Sequence, residues 1–268
     1  MMFVPFAILL AAGQTPPETA IAQDQPAPTA QTVTGSPADT VTTFLSFNKA
    51  GRLGTPAARP LISGELTGMT ARTLGPLASP DKIVAVSPRL SIARLPATRE
   101  SPADVYLYVV QSAPGAWTID AIRALALPPF VATLRNDLIQ RVTLSEEEQQ
   151  TLAQINLMMQ SDADLRGWFA EHRAELDALR TIALAEPTTA GTARTIESDA
   201  ARRALGRLNA SSLAMSESGA VTVTLSGILD NTVGFLFADV PNKVPTVDGG
   251  EYIWIEAVGG GWYLFKTT

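Results

Sequence analysis

Three residues have types and spacing suited to proton transfer. Tyr106 and Tyr108 stand two apart in Val105-Tyr106-Leu107-Tyr108-Val109-Val110, so on an extended strand both rings share one face. Asp120 follows in Trp117-Thr118-Ile119-Asp120-Ala121-Ile122. A carboxylate in an apolar pocket beside a phenol is an arrangement used for abstracting a proton and stabilising the charge that develops. No residue reads as catalytic outright, and Asp120, Tyr106 and Tyr108 are the candidates of that type.

The other chemistry-bearing residues have plainer readings. His172 is the single histidine, and helical spacing puts it in the middle of a stripe with Leu165, Phe169, Leu176 and Leu179. That position predicts a structural, hydrogen-bonded histidine. Without cysteine or a second histidine, no thiolate or histidine-pair metal site can form, and neither a metal nor a cofactor is expected. Ser46-Phe47-Asn48-Lys49 matches the S-x-x-K nucleophile motif of penicillin-binding proteins and class A β-lactamases. Lys266-Thr267-Thr268 and Ser161-Asp162-Ala163 do not complete that set, since one lacks the glycine and the other the asparagine. Gly259-Gly260-Gly261 precedes an aromatic strand, Trp262-Tyr263-Leu264-Phe265, and not a helix N-terminus. It therefore reads as a hairpin turn and not as a phosphate loop.

The elements that must position these residues are legible from caps and periods. Ser36-Pro37-Ala38-Asp39 is a helix start, with Val41, Phe44 and Leu45 on the apolar side and Gly51 as the stop. A shorter helical stretch is expected from Pro60 to about Thr73. Strands are expected over Lys82–Val86, Leu90–Leu95, Val105–Gln111 and Trp117–Arg123. From Pro128 the period is helical, over 129–141, 145–160, 161–185 and Ser198–Leu208, with a loop at 188–192. The period becomes two again at Val221–Ser226, Val233–Phe237, Glu251–Val258 and Trp262–Thr267. These strands predict an antiparallel meander with turns at Asp230-Asn231 and 248–250. On the last strand, Trp262 and Leu264 share a face, with Lys266 at its rim.

Residues 3–12 are an apolar run too short to span a bilayer, followed by Ala20-Ile21-Ala22. This pattern is that of a secretory signal peptide over residues 1–22. Residues 23–37, rich in Pro, Thr, Gln and Ala, read as a flexible tether. No membrane span is expected after signal cleavage, and the localisation implied is the periplasm or cell envelope. The net charge of −6 without a basic stripe argues against nucleic acid as a partner. Two domains are expected, 38–127 and 128–268.

Within the first, the helix ending at Gly51, the turn Ile62-Ser63-Gly64-Glu65-Leu66 and the closing strand W-x-I-D-x-I together resemble the NTF2-like (cystatin-like α+β) domains of secreted bacterial proteins. The resemblance covers residues 38–125 and implies a helix packed on an antiparallel sheet. The steroid-isomerase branch of that superfamily uses a pocket Asp beside Tyr donors, and Asp120 with Tyr106 or Tyr108 are the matching types. They do not align to a catalytic pattern, so the resemblance does not carry that activity over. The second half resembles uncharacterised secreted domains in outline only. The fold class expected is α+β throughout. The function expected is a non-enzymatic binding module for a protein partner or a small apolar ligand, with Trp254 or Trp262 as exposed contact aromatics. An enzyme with an Asp–Tyr site in an NTF2-like cavity, and an immunity-type protein that blocks a toxin, are the alternatives.

Overall fold

The computed structural model describes residues 35–186, 192–247 and 251–268. The signal peptide expected at 1–22, all but the last three residues of the expected tether, and the turn expected at 248–250 lie outside the described residues. So does most of the loop at 188–192.

The chain is α+β, with two antiparallel sheets. Helix α1 spans Pro37–Lys49 and starts where the sequence says it should. Ser36 Oγ accepts from Asp39 N, and the Asp39 carboxylate accepts from Ser36 N at 2.8 Å, a reciprocal pair that satisfies two orphan donors. Two ordered contacts trim the expected tether: Ser36 and Pro37 belong to the helix, and Gly35 N donates to Gly115 O. The helical stretch expected over 60–73 is instead two short 3-10 turns, Pro56–Leu61 and Gly64–Leu66. Pro60 and the glycines at 64 and 68 break any longer helix.

Strands β1 (Lys82–Ser87), β2 (Leu90–Leu95), β3 (Val105–Ala113) and β4 (Ala116–Ala124) follow as a four-stranded sheet in chain order. One face of this sheet packs on α1. Val41, Phe44 and Phe47 meet Ala93, Leu95, Leu107, Val109 and Ile119.

Helices α2 (Pro129–Gln140), α3 (Glu146–Met158), α4 (Asp162–Glu171) and α5 (Arg173–Ala185) come next. The single helix expected over 161–185 is broken at His172, whose ψ of 20° leaves the helical range. A short strand β5 (Arg194–Thr195) and helix α6 (Asp199–Leu208) lead to β6 (Ser212–Met215), β7 (Val221–Ile228), β8 (Asn231–Phe237), β9 (Tyr252–Gly259) and β10 (Trp262–Thr267). Strands β5 and β6 were not expected, being only two and four residues long.

The second sheet runs β5-β6-β7-β8-β10-β9. It is not the simple meander expected from the sequence, because β10 inserts between β8 and β9 and pairs with both. Its apolar face, including Val223, Phe235, Trp262 and Leu264, lies under the helices. The turn between β7 and β8 is Leu229-Asp230, one residue earlier than expected, since Ile228 pairs with Asn231. Gly259, Gly260 and Gly261 all have positive φ and link β9 to β10 as the expected hairpin turn.

The two sheets meet. The second face of the first sheet, with Ile92, Tyr106, Tyr108 and Ala121, is covered by Val247, Ile253 and Trp254. Trp254 and Trp262 are therefore core residues, 1% and 0% exposed, and not contact aromatics.

Because β10 holds β9 in the sheet and β9 covers the first sheet, removing residues 259–268 is expected to unfold both halves in one transition. The point variant Leu264→Ala, at a fully buried position, is expected to cost about 2–5 kcal/mol. Urea denaturation followed by tryptophan fluorescence and by far-UV circular dichroism checks both. A truncated chain whose first sheet melts as in the intact protein would show that the cover is dispensable.

Candidate functional site

The face that carries Tyr106 and Tyr108 is closed. Tyr106 has no exposed surface and stacks on Trp254, ring centroids 5.0 Å apart. Its hydroxyl donates to both carboxylate oxygens of Asp162 at 3.0 Å. The Tyr108 hydroxyl donates to the Ile253 carbonyl at 2.9 Å.

Asp120 is the extra residue of a bulge in β4, where Tyr108 pairs with Ala121 and Val109 with Ile119. Its carboxylate accepts from Ser63 Oγ at 2.9 Å, and Ser63 in turn lies 2.7 Å from Thr118 Oγ1. Gly64, at φ +49°, passes so close that an added Cβ would sit 2.2 Å from Asp120 Oδ1. The polar ends of the three sequence candidates thus go to three different partners, on α4, on β9 and at the 3-10 turn.

What occupies the junction between the sheets is a knot of charge. Lys266 Nζ sits 2.7 Å from Asp162 Oδ1 and 3.2 Å from Asp104 Oδ2. Arg94 Nη1 lies 2.6 Å from Glu256 Oε2 and 3.4 Å from Asp162 Oδ2, and its Nε and Nη2 donate to Asp81. Lys82 and Arg166 complete the set on Glu256, at 2.8 and 3.1 Å. Four cations face four anions, so the knot is balanced. Lys266 is only 3% exposed and not at the rim its sequence position suggested.

Local structure aims each group. Ser161 caps α4 by accepting from Asp164 N, which leaves Asp162 free to turn toward the sheets. Asp162 N donates to Asp104 Oδ2 at 2.8 Å, so a carboxylate from the first half satisfies the helix start of the second. Arg94 and Lys266 reach the knot from strands that are otherwise apolar toward it.

Burial pushes the Asp162 carboxyl up, reinforced by the Asp104 charge, while Lys266 and Arg94 pull it back. Burial likewise raises the Tyr106 phenol well above its ordinary value, with the Asp162 and Asp104 charges adding to it. That phenol therefore stays a donor. For Glu256 burial is the largest influence and opposes ionisation, yet the hydrogen bond from Lys82 and the charges of Arg94 and Arg166 overcome it and hold the group below the carboxylate range. Trp254 pays a local cost here, since its indole N–H is buried without a hydrogen-bond partner among the described residues. A packed, balanced cluster of this kind, buried at Lys266, Asp162 and Arg94 and open to solvent at Lys82 and Asp81, joins the two surfaces.

His172 lies at the α4–α5 junction, half-buried and not central in the core. Its ring stacks on Trp168 at 4.3 Å, and its Nδ1 is 2.9 Å from the Trp168 carbonyl. Ser46 and Lys49 are exposed on α1, where they line a surface cleft of about 810 Å³ with Leu77 and Pro80. Asn48 between them is buried and clamps the 73–75 segment by bonds to Thr73, Leu74 and Gly75. Lys266 and Asp162 lie beyond the opposite face of the first sheet, so the S-x-x-K set is not assembled.

The charge knot is what sequence reasoning missed. Its signal was single charges inside apolar strands, Arg94 in Leu90–Leu95 and Glu256 in Tyr252–Val258, which must find partners if buried. Among the described residues no group of three or more His, Cys, Asp or Glu is placed to hold a metal ion, and no helix is long and apolar enough to cross a membrane. Comparison of the chain with family models, curated proteins and solved structures gives no match in any of the three.

Two outcomes follow from the knot. Lys266→Met leaves Asp104 buried without its cation and Asp162 with only the 3.4 Å contact to Arg94, and is expected to cost about 3–5 kcal/mol. Lys266→Met with Asp162→Asn is expected to recover part of that, as read by chemical denaturation.

The second concerns pH. Glu256 and Asp81 are held below their ordinary range, Asp81 chiefly by its hydrogen bond to Arg94. Their contribution is full above the unfolded carboxylate pKa and is lost as pH falls below about 4. Asp162, shifted the other way, offsets a part of this loss. Denaturation midpoints at pH 7 and pH 3 should therefore differ less in Glu256→Gln than in the wild type.

Proposed function

We propose that the protein is an exported, non-enzymatic binding module of the bacterial periplasm or cell envelope, with its first half built on the NTF2-like plan. The helix α1 lying on one face of a four-stranded antiparallel sheet supports that plan. One observation carries the non-enzymatic reading. The tyrosine face of the sheet, where a cavity of that plan would hold a substrate, is filled by Trp254, Ile253 and Val247 and closed by paired charge. Fold alone sets no activity, and here Tyr106 and Tyr108 are engaged in holding the two halves together while Asp120 is bonded to Ser63 within the first. Recognition then falls to the surface clefts, such as the one lined by Ser46, Lys49 and Leu77.

Affinity capture from an envelope extract tests this, with the wild-type chain and Asp120→Asn as parallel baits. A single envelope component enriched equally by both supports the reading. A chain that captures none, yet turns over a compound in a substrate screen with turnover lost in Asp120→Asn, overturns it in favour of the Asp–Tyr enzyme. Export is tested separately by N-terminal sequencing of the secreted protein, expected to begin at Gln23.

A further inference from the structure

A second cleft lies between α4, the start of α5 and the outer end of β9. Its volume is about 450 Å³, within the range of small-molecule sites. The wall and floor are apolar, Phe169, Ala170, Ala257 and Val258, and two guanidinium groups, Arg166 and Arg173, stand at its edges.

The two arginines are not equivalent. Arg166 is drawn to Glu256 and so into the charge knot. Arg173 is fixed on three sides. Its Nε donates to Asp177 Oδ2 at 3.1 Å, its guanidinium stacks over the Phe169 ring at 5.3 Å, and it packs against the hairpin tip at Gly260. A Cβ at Gly260 would lie 2.0 Å from Arg173 Nη2, which places the guanidinium directly against the hairpin tip. Asp177 is itself pinned, by the Trp262 indole N–H at 3.0 Å and by Arg180 at 3.3 Å. The terminal nitrogens Nη1 and Nη2 of Arg173 have no hydrogen-bond partner among the described residues.

A guanidinium positioned by Asp177 and Phe169, its terminal nitrogens without a hydrogen-bond partner among the described residues and beside an apolar trough, is suited to a carboxylate attached to an apolar body.

We propose that this cleft binds small organic carboxylates, the acid on the Arg173 fork and the apolar portion against Phe169, Ala257 and Val258. The inference rests on the binding-module reading and names its ligand class. Phenylacetate is a probe of that class and phenylacetamide its neutral counterpart. For a ligand of this size a Kd of about 1 mM is expected.

The test is a titration of the full chain with each probe, followed by amide ¹H–¹⁵N correlation spectra. Saturable shifts confined to the amides of 166–173 and 257–261 are expected with phenylacetate, with affinity about tenfold lower for phenylacetamide. Arg173→Gln should abolish the difference between the two probes, and Arg173→Lys should keep part of it. Ala170→Trp, which fills the trough without touching charge, should weaken both, so the site remains testable if Arg173→Gln folds poorly. Equal affinity for the two probes, shifts centred elsewhere, or no saturation by about 20 mM overturns the site. The capture experiment above is unaffected by that result and judges the module reading by itself.

Discussion

The buried pair Lys266 and Asp162, both of the second half, and the Asp104, Arg94 and Tyr106 of the first half that complete it are the constraint on which the arrangement of the two halves depends. Neither charge can be left alone in an interior from which water is excluded, because desolvation of an isolated ion costs several kcal/mol. Each therefore recruits further partners: Asp104 for Lys266, Arg94 and Tyr106 for Asp162, then Glu256, Asp81, Lys82 and Arg166 outward to solvent. Such a knot is a weak source of net stability but a strict selector of register. Sliding one sheet past the other by a single residue would bury unpaired charge, whereas an all-apolar contact would tolerate it. The aromatic pair Tyr106 and Trp254 supplies the burial that the charges do not.

The division of labour between strands follows from the same logic. The first sheet is sandwiched, with α1 on the Leu107 side and the β9 strand on the Tyr106 side. That is why β3 reads as an uninterrupted apolar and aromatic run, as strands buried on both faces do. The sequence raised the question of what covers the tyrosine face. The answer is another part of the same chain, more than a hundred residues away.

Local signals were the legible ones. Caps at Ser36, Ser145, Ser161 and Ser198 each mark a helix start, and the period-two runs mark most strands, because both patterns are set by neighbours within a few residues. The α+β class and the glycine hairpin at 259–261 follow from them. What stayed hidden is non-local. The insertion of β10 between β8 and β9 has no mark in spacing. Burial of Trp254 and Lys266 depends on a sheet edge meeting another sheet. The helix break at His172 comes from a ring that stacks on Trp168 and bonds its carbonyl, while the surrounding residues keep a helical pattern. The Asp120 candidate failed to join the tyrosines because a bulge displaces it toward Ser63.

The placement of β10 also sets an order of events during biosynthesis. β9 emerges from the ribosome before β10, but among the described residues its only strand partner is β10. Until residues 262–267 are available, β9 has nothing to pair with, the Tyr106 face stays uncovered and Asp162 has no ammonium. Closure of both sheets thus waits on one late, long-range event, the kind of non-local pairing whose loop-closure entropy makes folding slow. In a nascent chain of this design the Tyr106 face stays uncovered until residues 262–267 have been made.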